Sequence, residues 1–362
     1  MTPMVSVTID TGALRHNLQV IRRLAPKSRV MAVIKANAYG HGLIAAARAL
    51  DAADALAVAR LDEGLALRAA GIKTPIVLLE GVMDGEQLRA AADADFELVV
   101  HTPEQIELLK AFPPEVRFKV WLKLDSGMNR LGFKGEAFLA AHAALTRSSA
   151  LKGPVNLITH LASADLPELP TTAEQLMAFA AATRTLSGER SIESSAALLS
   201  FPDSQADWVR PGLLLYGVSP FRGSTGVDHG LRPVMTLRSR IIAIKDLAVG
   251  DQAGYGGDWT ATRPTRLAIA AAGYGDGYPR SACSGTPVLI NGEYAALAGR
   301  VSMDMIAVDV TDVRLPPRVG EAVVLWGEGL PVEEIAVWAE TIPYTLLCGI
   351  SQRVAVRLDG FA

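Results

Sequence analysis

Cysteine is scarce: the chain of 362 residues has two, Cys283 and Cys348. That excludes a disulfide framework and suits a reducing compartment. Long apolar runs are missing as well. No uninterrupted apolar stretch reaches the roughly 18 residues that a membrane span needs. The opening MTPMVSVTIDTGALRHNL lacks the basic-then-apolar order of a secretory leader. An excess of charge of either sign is missing too, the net charge being −3, so no electrostatic footprint for nucleic acid or an anionic membrane exists. The expectation is a cytoplasmic protein with neither nucleic acid nor membrane as partner. What is abundant is apolar: hydrophobic residues make up 50% and charged residues only 20%, enough for a large core and too little charge for disorder. Because single cores stop growing at roughly 250–300 residues, two domains are expected.

From Val30 to about Gly217, strand-like and helix-like runs alternate. The strand candidates are Arg29–Ala36, Ala55–Arg60, Pro75–Glu80, Phe96–His101, Arg117–Asp125, Val155–Leu161, Ile192–Ala197 and Trp208–Leu213, each short and apolar. Between them lie segments with helical spacing such as Leu61–Ala70, Thr102–Phe112 and Thr171–Gly188, the last with a Thr start and a Gly stop. Eight strands at intervals of about 20–25 residues fit a TIM (β/α)8 barrel, with a doubly wound sheet as the alternative. No Gly-rich phosphate fingerprint follows the first strand, which counts against the dinucleotide-binding version. Beyond a Gly/Pro-rich stretch, Phe221–Pro233, the pattern changes. Arg238–Ile244, Arg266–Ala271, Pro287–Ile290, Met305–Asp309 and Glu321–Leu325 read as short strands, with one helix near Pro331–Trp338. The fold class is therefore α/β: an N-terminal barrel over residues 1–231 and a smaller all-β domain over 232–362. Thr11–Leu24 reads as a helix, and the strand-like Val5–Ile9 before it suits either domain.

Lys35 ends the apolar run Met31-Ala-Val-Ile and precedes Ala-Asn-Ala-Tyr39-Gly-His-Gly. A lysine at the C-terminal end of a barrel strand is costly to bury as an ammonium, and a desolvated amine forms Schiff bases with carbonyls. Tyr39 and the following glycines suit a phosphate. A lone lysine would more often snorkel to the surface; the setting reverses that preference. This stretch resembles the cofactor-lysine motif of alanine racemases, fold-type III pyridoxal-phosphate enzymes, and further motifs recur in that family's order along essentially the whole chain.

The resemblance implies pyridoxal 5′-phosphate on Lys35 and no metal. In Lys123-Leu-Asp125-Ser-Gly-Met-Asn-Arg130, it implies that Arg130 binds the substrate carboxylate and the cofactor's phenolic oxygen, a task suited to a planar bidentate donor. It also makes Lys123 a candidate for carbamylation, an ordinary ion pair with Asp125 or a neighbour being the equal alternative. His160 would orient the catalytic tyrosine and Arg210. Ser195 would hold phosphate, although Ser194 stands where the family usually has Asn. Arg210 would face the pyridine nitrogen, and Gly212 and Leu213 would offer backbone N–H groups to the phosphate. In the C-terminal part, Tyr255 matches the second catalytic base, Tyr274 the inner gate, and Met303 and Asp304 the carboxylate pocket. Gln352 stands where the family commonly has a phosphate-binding tyrosine, which leaves room for a broader substrate range.

These matches imply an isomerase that racemises alanine with two bases, Lys35 on one face of Cα and Tyr255 on the other, in a homodimer whose sites draw Tyr255 from the second subunit. Such an enzyme would supply D-alanine for peptidoglycan or serve alanine catabolism. The rivals are a racemase of serine or wider range, a basic-amino-acid decarboxylase of the same class, and a cofactor-binding single-barrel protein. Arg210 argues against the decarboxylase, which would need an acidic residue there, and the β-domain argues against the single barrel.

Overall fold

The structure, a computed structural model, describes residues 3–113 and 115–360. The chain forms two compact units. One comprises Asn17–Ala38 and Gly42–Leu215; the other comprises the described residues up to His16, Tyr39–His41 and those from Tyr216 onward. Strands are numbered in chain order, beginning with β1 (Ser6–Asp10) of the second unit.

The first unit is a closed barrel of eight parallel strands: β2 (Arg29–Val33), β3 (Ala55–Val58), β4 (Ile76–Leu78), β5 (Phe96–Val100), β6 (Val120–Lys123), β7 (Asn156–Ile158), β8 (Arg190–Ser194) and β9 (Trp208–Arg210). The circle closes where Arg29 and Val30 pair with Trp208 and Val209. Strands such as β3 and β4 are buried at every position, as a parallel sheet covered on both faces requires. Local chemistry starts the intervening helices: Asp84 accepts a hydrogen bond from Gln87 N at 2.8 Å ahead of Gly85–Asp93, and Thr102 with Pro103 opens Pro103–Ala111. Because all eight strands run the same way, their C-terminal ends open on one face, the face on which barrel enzymes carry their chemistry.

Most barrel strands are shorter than the sequence reading, and two boundaries differ for local reasons. The seventh barrel strand stops at Ser194, and Ser195–Ser200 is a short helix rather than the end of a strand over Ile192–Ala197; Ala-Ala-Leu-Leu favours helix once the chain leaves the ladder. The helix from Thr171 ends at Thr183, short of Gly188. The Arg190 guanidinium donates to the Thr183 and Leu186 carbonyls at 2.9 and 3.0 Å. Gly188 serves a close approach instead: at φ +108°, a Cβ there would lie 2.0 Å from the Val155 oxygen.

The second unit is built on an eight-stranded sheet. Its strands are β1, β10 (Met235–Leu247), β13 (Thr265–Ala270), β14 (Pro287–Ile290), β15 (Glu293–Leu297), β16 (Ile306–Asp309), β17 (Ala322–Trp326) and β18 (Ala355–Asp359); β11 (Gln252–Ala253) and β12 (Trp259–Thr260) form a separate ladder. The order is β13-β16-β15-β14-β17-β10-β1-β18, with β13 also pairing β10. The early strand thus lies in this sheet, antiparallel to β10 and parallel to β18. Sequence reading did not find β15 or β18, whose Glu, Ala, Arg and Asp are poor strand formers, nor the helix Pro343–Cys348 beside the expected one, seen at Val332–Trp338. The stretch read as a linker holds a 3₁₀ turn, Gly226–His229, tied down where Ser219 N and Gly226 N donate to Glu333 Oε1 at 2.9 and 2.8 Å. No helix among the described residues is long and apolar enough to cross a membrane.

Candidate active site

Five barrel strands end in polar or charged side chains on the same face: Lys35 follows β2, Lys123 ends β6 with Arg130 in the loop beyond, His160 lies just past β7, Ser194 and Ser195 end and follow β8, and Arg210 ends β9. Ordinary barrel strands would bury apolar groups here.

The backbone after Lys35 is strained. Ala36, Asn37, Ala38 and Tyr39 all have φ of 53–54°, a left-handed run without a glycine. Such a conformation costs roughly 1–2 kcal/mol per residue. It persists because the surroundings over-determine it: Ala36 N donates to Glu63 Oε1 at 2.6 Å, Leu43 N to Asn37 Oδ1 at 2.8 Å and Gly42 N to the Asn37 carbonyl at 3.0 Å. Alanine and tyrosine give no hint of this in the sequence.

Arg210 is buried and rigidly held, its Nη1 donating to Ser191 Oγ at 2.5 Å and its Nη2 to the Thr159 and Ile192 carbonyls at 2.6 and 3.1 Å. Burial lowers its pKa to about 10, with Glu193 opposing, so it stays a guanidinium at neutral pH. Lys123 is pushed down to about 8, first by burial and then by Arg210, Arg130 and Lys35, with Asp125 opposing. Burial, followed by Arg210, Lys123, Arg130 and Lys35, takes His160 down to about 3. Its imidazole is therefore neutral where cells live.

Among the described residues, none of Lys35, Lys123, Arg130 and Arg210 forms an ion pair with a carboxylate. Asp125 is engaged elsewhere: it accepts from Gly127 N and Asn129 N at 3.1 and 2.9 Å and pairs with Lys134 at 3.7 Å. Its loop doubles back through Phe133 N to the Lys123 carbonyl at 2.9 Å, and a Cβ at Gly132 would come within 2.8 Å of that oxygen. Lys123, Arg130 and His160 line one small crevice with Met128. Ser195 Oγ accepts from Gly212 N at 2.9 Å and Leu214 N at 3.2 Å, so the Gly212 N–H is committed to Ser195, while Leu213 opens the next 3₁₀ turn.

Three holding residues escaped sequence reading: Thr159, Ser191 and Gln175. The Gln175 side chain is buried and joins Ala162 N (2.8 Å), the His160 carbonyl (3.3 Å) and Ser126 Oγ (3.3 Å). A glutamine inside a helical run carries no signal of this.

The other expected residues belong to the second unit. Tyr39 is buried, stacked on Tyr216 at 4.7 Å, and its phenol is pushed up by burial and then by Tyr344 and Cys348. Tyr255 is 68% exposed on a 3₁₀ turn, and Tyr274, Met303, Asp304 and Gln352 are exposed as well. Tyr274 and Met303 lie in neighbouring segments, Gly275 N donating to the Met303 carbonyl at 2.8 Å.

Comparison with known proteins agrees with this arrangement. Residues 9–220 match the family description "Alanine racemase, N-terminal domain" and residues 234–358 "Alanine racemase, C-terminal domain". The chain is 48% identical over 353 residues to the "Alanine racemase, biosynthetic" of Escherichia coli strain K12, covering 97% of this chain and 98% of the relative. The biosynthetic alanine racemase of Pseudomonas aeruginosa superposes with a TM-score of 0.95 at 43% identity, covering 99% of this chain and 100% of that one. The Bartonella henselae alanine racemase, solved with covalently bound pyridoxal phosphate, superposes at 0.89 with 27% identity, covering 99% and 100%. Two family domains spanning nearly the whole chain, on the expected barrel and β-sheet, show that it belongs to the alanine racemase family of isomerases.

Proposed function

We propose that the enzyme interconverts L- and D-alanine with pyridoxal 5′-phosphate held on Lys35 and two bases, Lys35 and Tyr255. One observation carries this reading: four cationic side chains at one end of the barrel, none of them in an ion pair with a carboxylate among the described residues. Of the four, Arg210 is buried, Lys35 and Lys123 are half-buried and Arg130 is exposed; like charges that repel one another around a buried guanidinium are costly unless an anion joins them. A ligand with a phosphate, a phenolate and a substrate carboxylate supplies such anions, so the residues fit the cofactor. Ser195, Leu213, Tyr39 and Gln352 would serve its phosphate, with Gly212 N holding Ser195 Oγ in place rather than facing the phosphate itself, Arg210 its ring nitrogen, and Arg130 its phenolic oxygen and the substrate carboxylate. When bound, the cofactor withdraws electrons from the substrate Cα–H bond.

The chain's own residues supply the rest. Arg210, fixed and still cationic, keeps a proton off the nitrogen it faces, which tempers the electron withdrawal and favours returning a proton to Cα. The Lys35 amine removes or returns that proton on one face, and Tyr255 does so on the other. His160, neutral, orients the tyrosine. Tyr255, Tyr274 and Met303 are large apolar side chains left exposed, and such patches mark interaction surfaces; a second copy covering them in a homodimer would complete each site. The relatives named biosynthetic favour supply of D-alanine over alanine catabolism; its proposed use is peptidoglycan, and its proposed place the cytoplasm.

Polarimetry with purified protein tests the reading: L-alanine solutions lose rotation, and L-serine shows whether Gln352 widens the range. A protein that leaves L-alanine unchanged while bound to cofactor is no alanine racemase.

Lys123 gives a separate prediction. At a pKa of about 8, roughly one amine in ten is neutral at pH 7, the form that adds CO2. The carbamate would replace a repelling cation by an anion that positions Arg130. Stripping bicarbonate from the buffer should lower activity roughly tenfold to a hundredfold, and adding it back should restore activity. Lys123→Met should lose the response. Wild-type activity indifferent to bicarbonate would rule the modification out.

A further inference from the structure

We infer that Arg353 is a positioning residue for the substrate pocket: one guanidinium bridges Asp276 and Asp304 and so fixes the Met303–Asp304 turn against the Tyr274 segment. This rests on the reading above of Met303, Asp304 and Tyr274 as pocket residues.

Three stretches of the second unit meet at this group. Its Nε and Nη2 donate to the two oxygens of Asp276 at 2.8 and 3.0 Å, its Nη1 donates to Asp304 Oδ1 at 2.7 Å, and Nη2 also reaches the Met303 carbonyl at 3.4 Å. Asp276 is a firm anchor: its side chain is 6% exposed, its Oδ2 accepts from Gly273 N at 3.0 Å and its carbonyl from Ser351 N at 3.1 Å. Backbone bonds finish the clasp, from Tyr274 N to the Ser302 carbonyl at 3.1 Å and from Gly275 N to the Met303 carbonyl at 2.8 Å. No side chain fits between the segments. A Cβ at Gly273 would lie 2.2 Å from the Ser302 oxygen, and one at Gly275 would lie 2.6 Å from Arg353 Nη2.

The geometry needs a planar fork. All three nitrogens are used, in two directions, and a lysine ammonium cannot grip both faces of one carboxylate while holding a second. Charge points the same way. Without Arg353, two carboxylates would stand uncompensated beside a pocket that must admit a carboxylate substrate. The loss should therefore appear in substrate binding more than in the chemical step.

The test uses the holoenzyme carrying Arg353→Gln or Arg353→Lys. KM for L-alanine should rise about tenfold in both, with kcat within about twofold of wild type. Guanidinium chloride at low millimolar concentration should lower the KM of Arg353→Gln toward the wild-type value, and sodium chloride at equal ionic strength should not. Hydrogen exchange at the Tyr274 and Gly275 amides should quicken about tenfold while the β13 amides keep their protection. Uniform quickening of both, or quickening at 274–275 with KM unchanged, would overturn the assignment. A wild-type enzyme without racemase activity would instead sink the reading of the pocket, and the exchange result would still judge the clasp.

Discussion

Lys35→Ala should abolish racemisation, by at least about 10⁴-fold, because it removes a base and the covalent tether together. Thermal stability measured without cofactor should change little, since the side chain is only half-buried and makes no ion pair among the described residues. Two measurements check this. Borohydride reduction of the wild type followed by mass spectrometry should place the cofactor on the peptide containing Lys35, and the variant should carry none there. Polarimetry should then show no loss of rotation from either enantiomer. Adduct formation elsewhere in the wild type would remove the basis of the proposed reaction.

Tyr255→Phe should cost about 10²–10⁴ in racemisation, the range for losing one acid–base group, with a qualitative signature as well. Lys35 remains on its own face of Cα. One enantiomer should still exchange its α-proton with solvent deuterium while keeping its configuration, whereas the other should exchange poorly. Loss of exchange from both enantiomers would mean that Tyr255 positions rather than transfers. Subunit mixing tests where Tyr255 acts. If each site combines two chains, equal amounts of Lys35→Ala and Tyr255→Ala protein should recover roughly a quarter of wild-type activity after exchange, since half the dimers are mixed and each has one intact site. No recovery would place both groups within one chain.

The barrel was legible because strands such as β3 and β4 are apolar runs buried on both faces, even though β8, Arg-Ser-Ile-Glu-Ser, is mostly polar. The second unit was less so. Its long β10 and the short, buried β14 stand out, but β18 alternates Val, Arg, Leu and Asp on an exposed edge, and β15 carries two alanines and a glutamate. Those strands exist because their neighbours pair with them, a fact that propensity cannot contain. In the candidate site, Lys35 announced itself by ending an apolar strand, and Lys123, Arg130, His160 and Arg210 by the motifs in which they resemble the family. The groups that hold them did not: Thr159, Ser191 and Gln175 are ordinary polar residues until the barrel closes around Arg210 and His160. Nor do the alanines and tyrosine of Ala-Asn-Ala-Tyr foretell four consecutive left-handed residues, which are sustained by the bonds Glu63 accepts from Ala36 N and Asn37 accepts from Gly42 N and Leu43 N.

The place of β1 has a consequence for how the chain is made. A ribosome releases Val7 and Ile9 before the barrel, yet the strands that flank them follow it, β10 from Met235 and β18 from Ala355. Thr11 donates to the Asp359 carbonyl at 2.8 Å across 348 positions. The early strand β1 therefore waits, apolar and unpaired, while the whole barrel is synthesised, and chaperone protection of that strand should govern the yield of correctly folded enzyme.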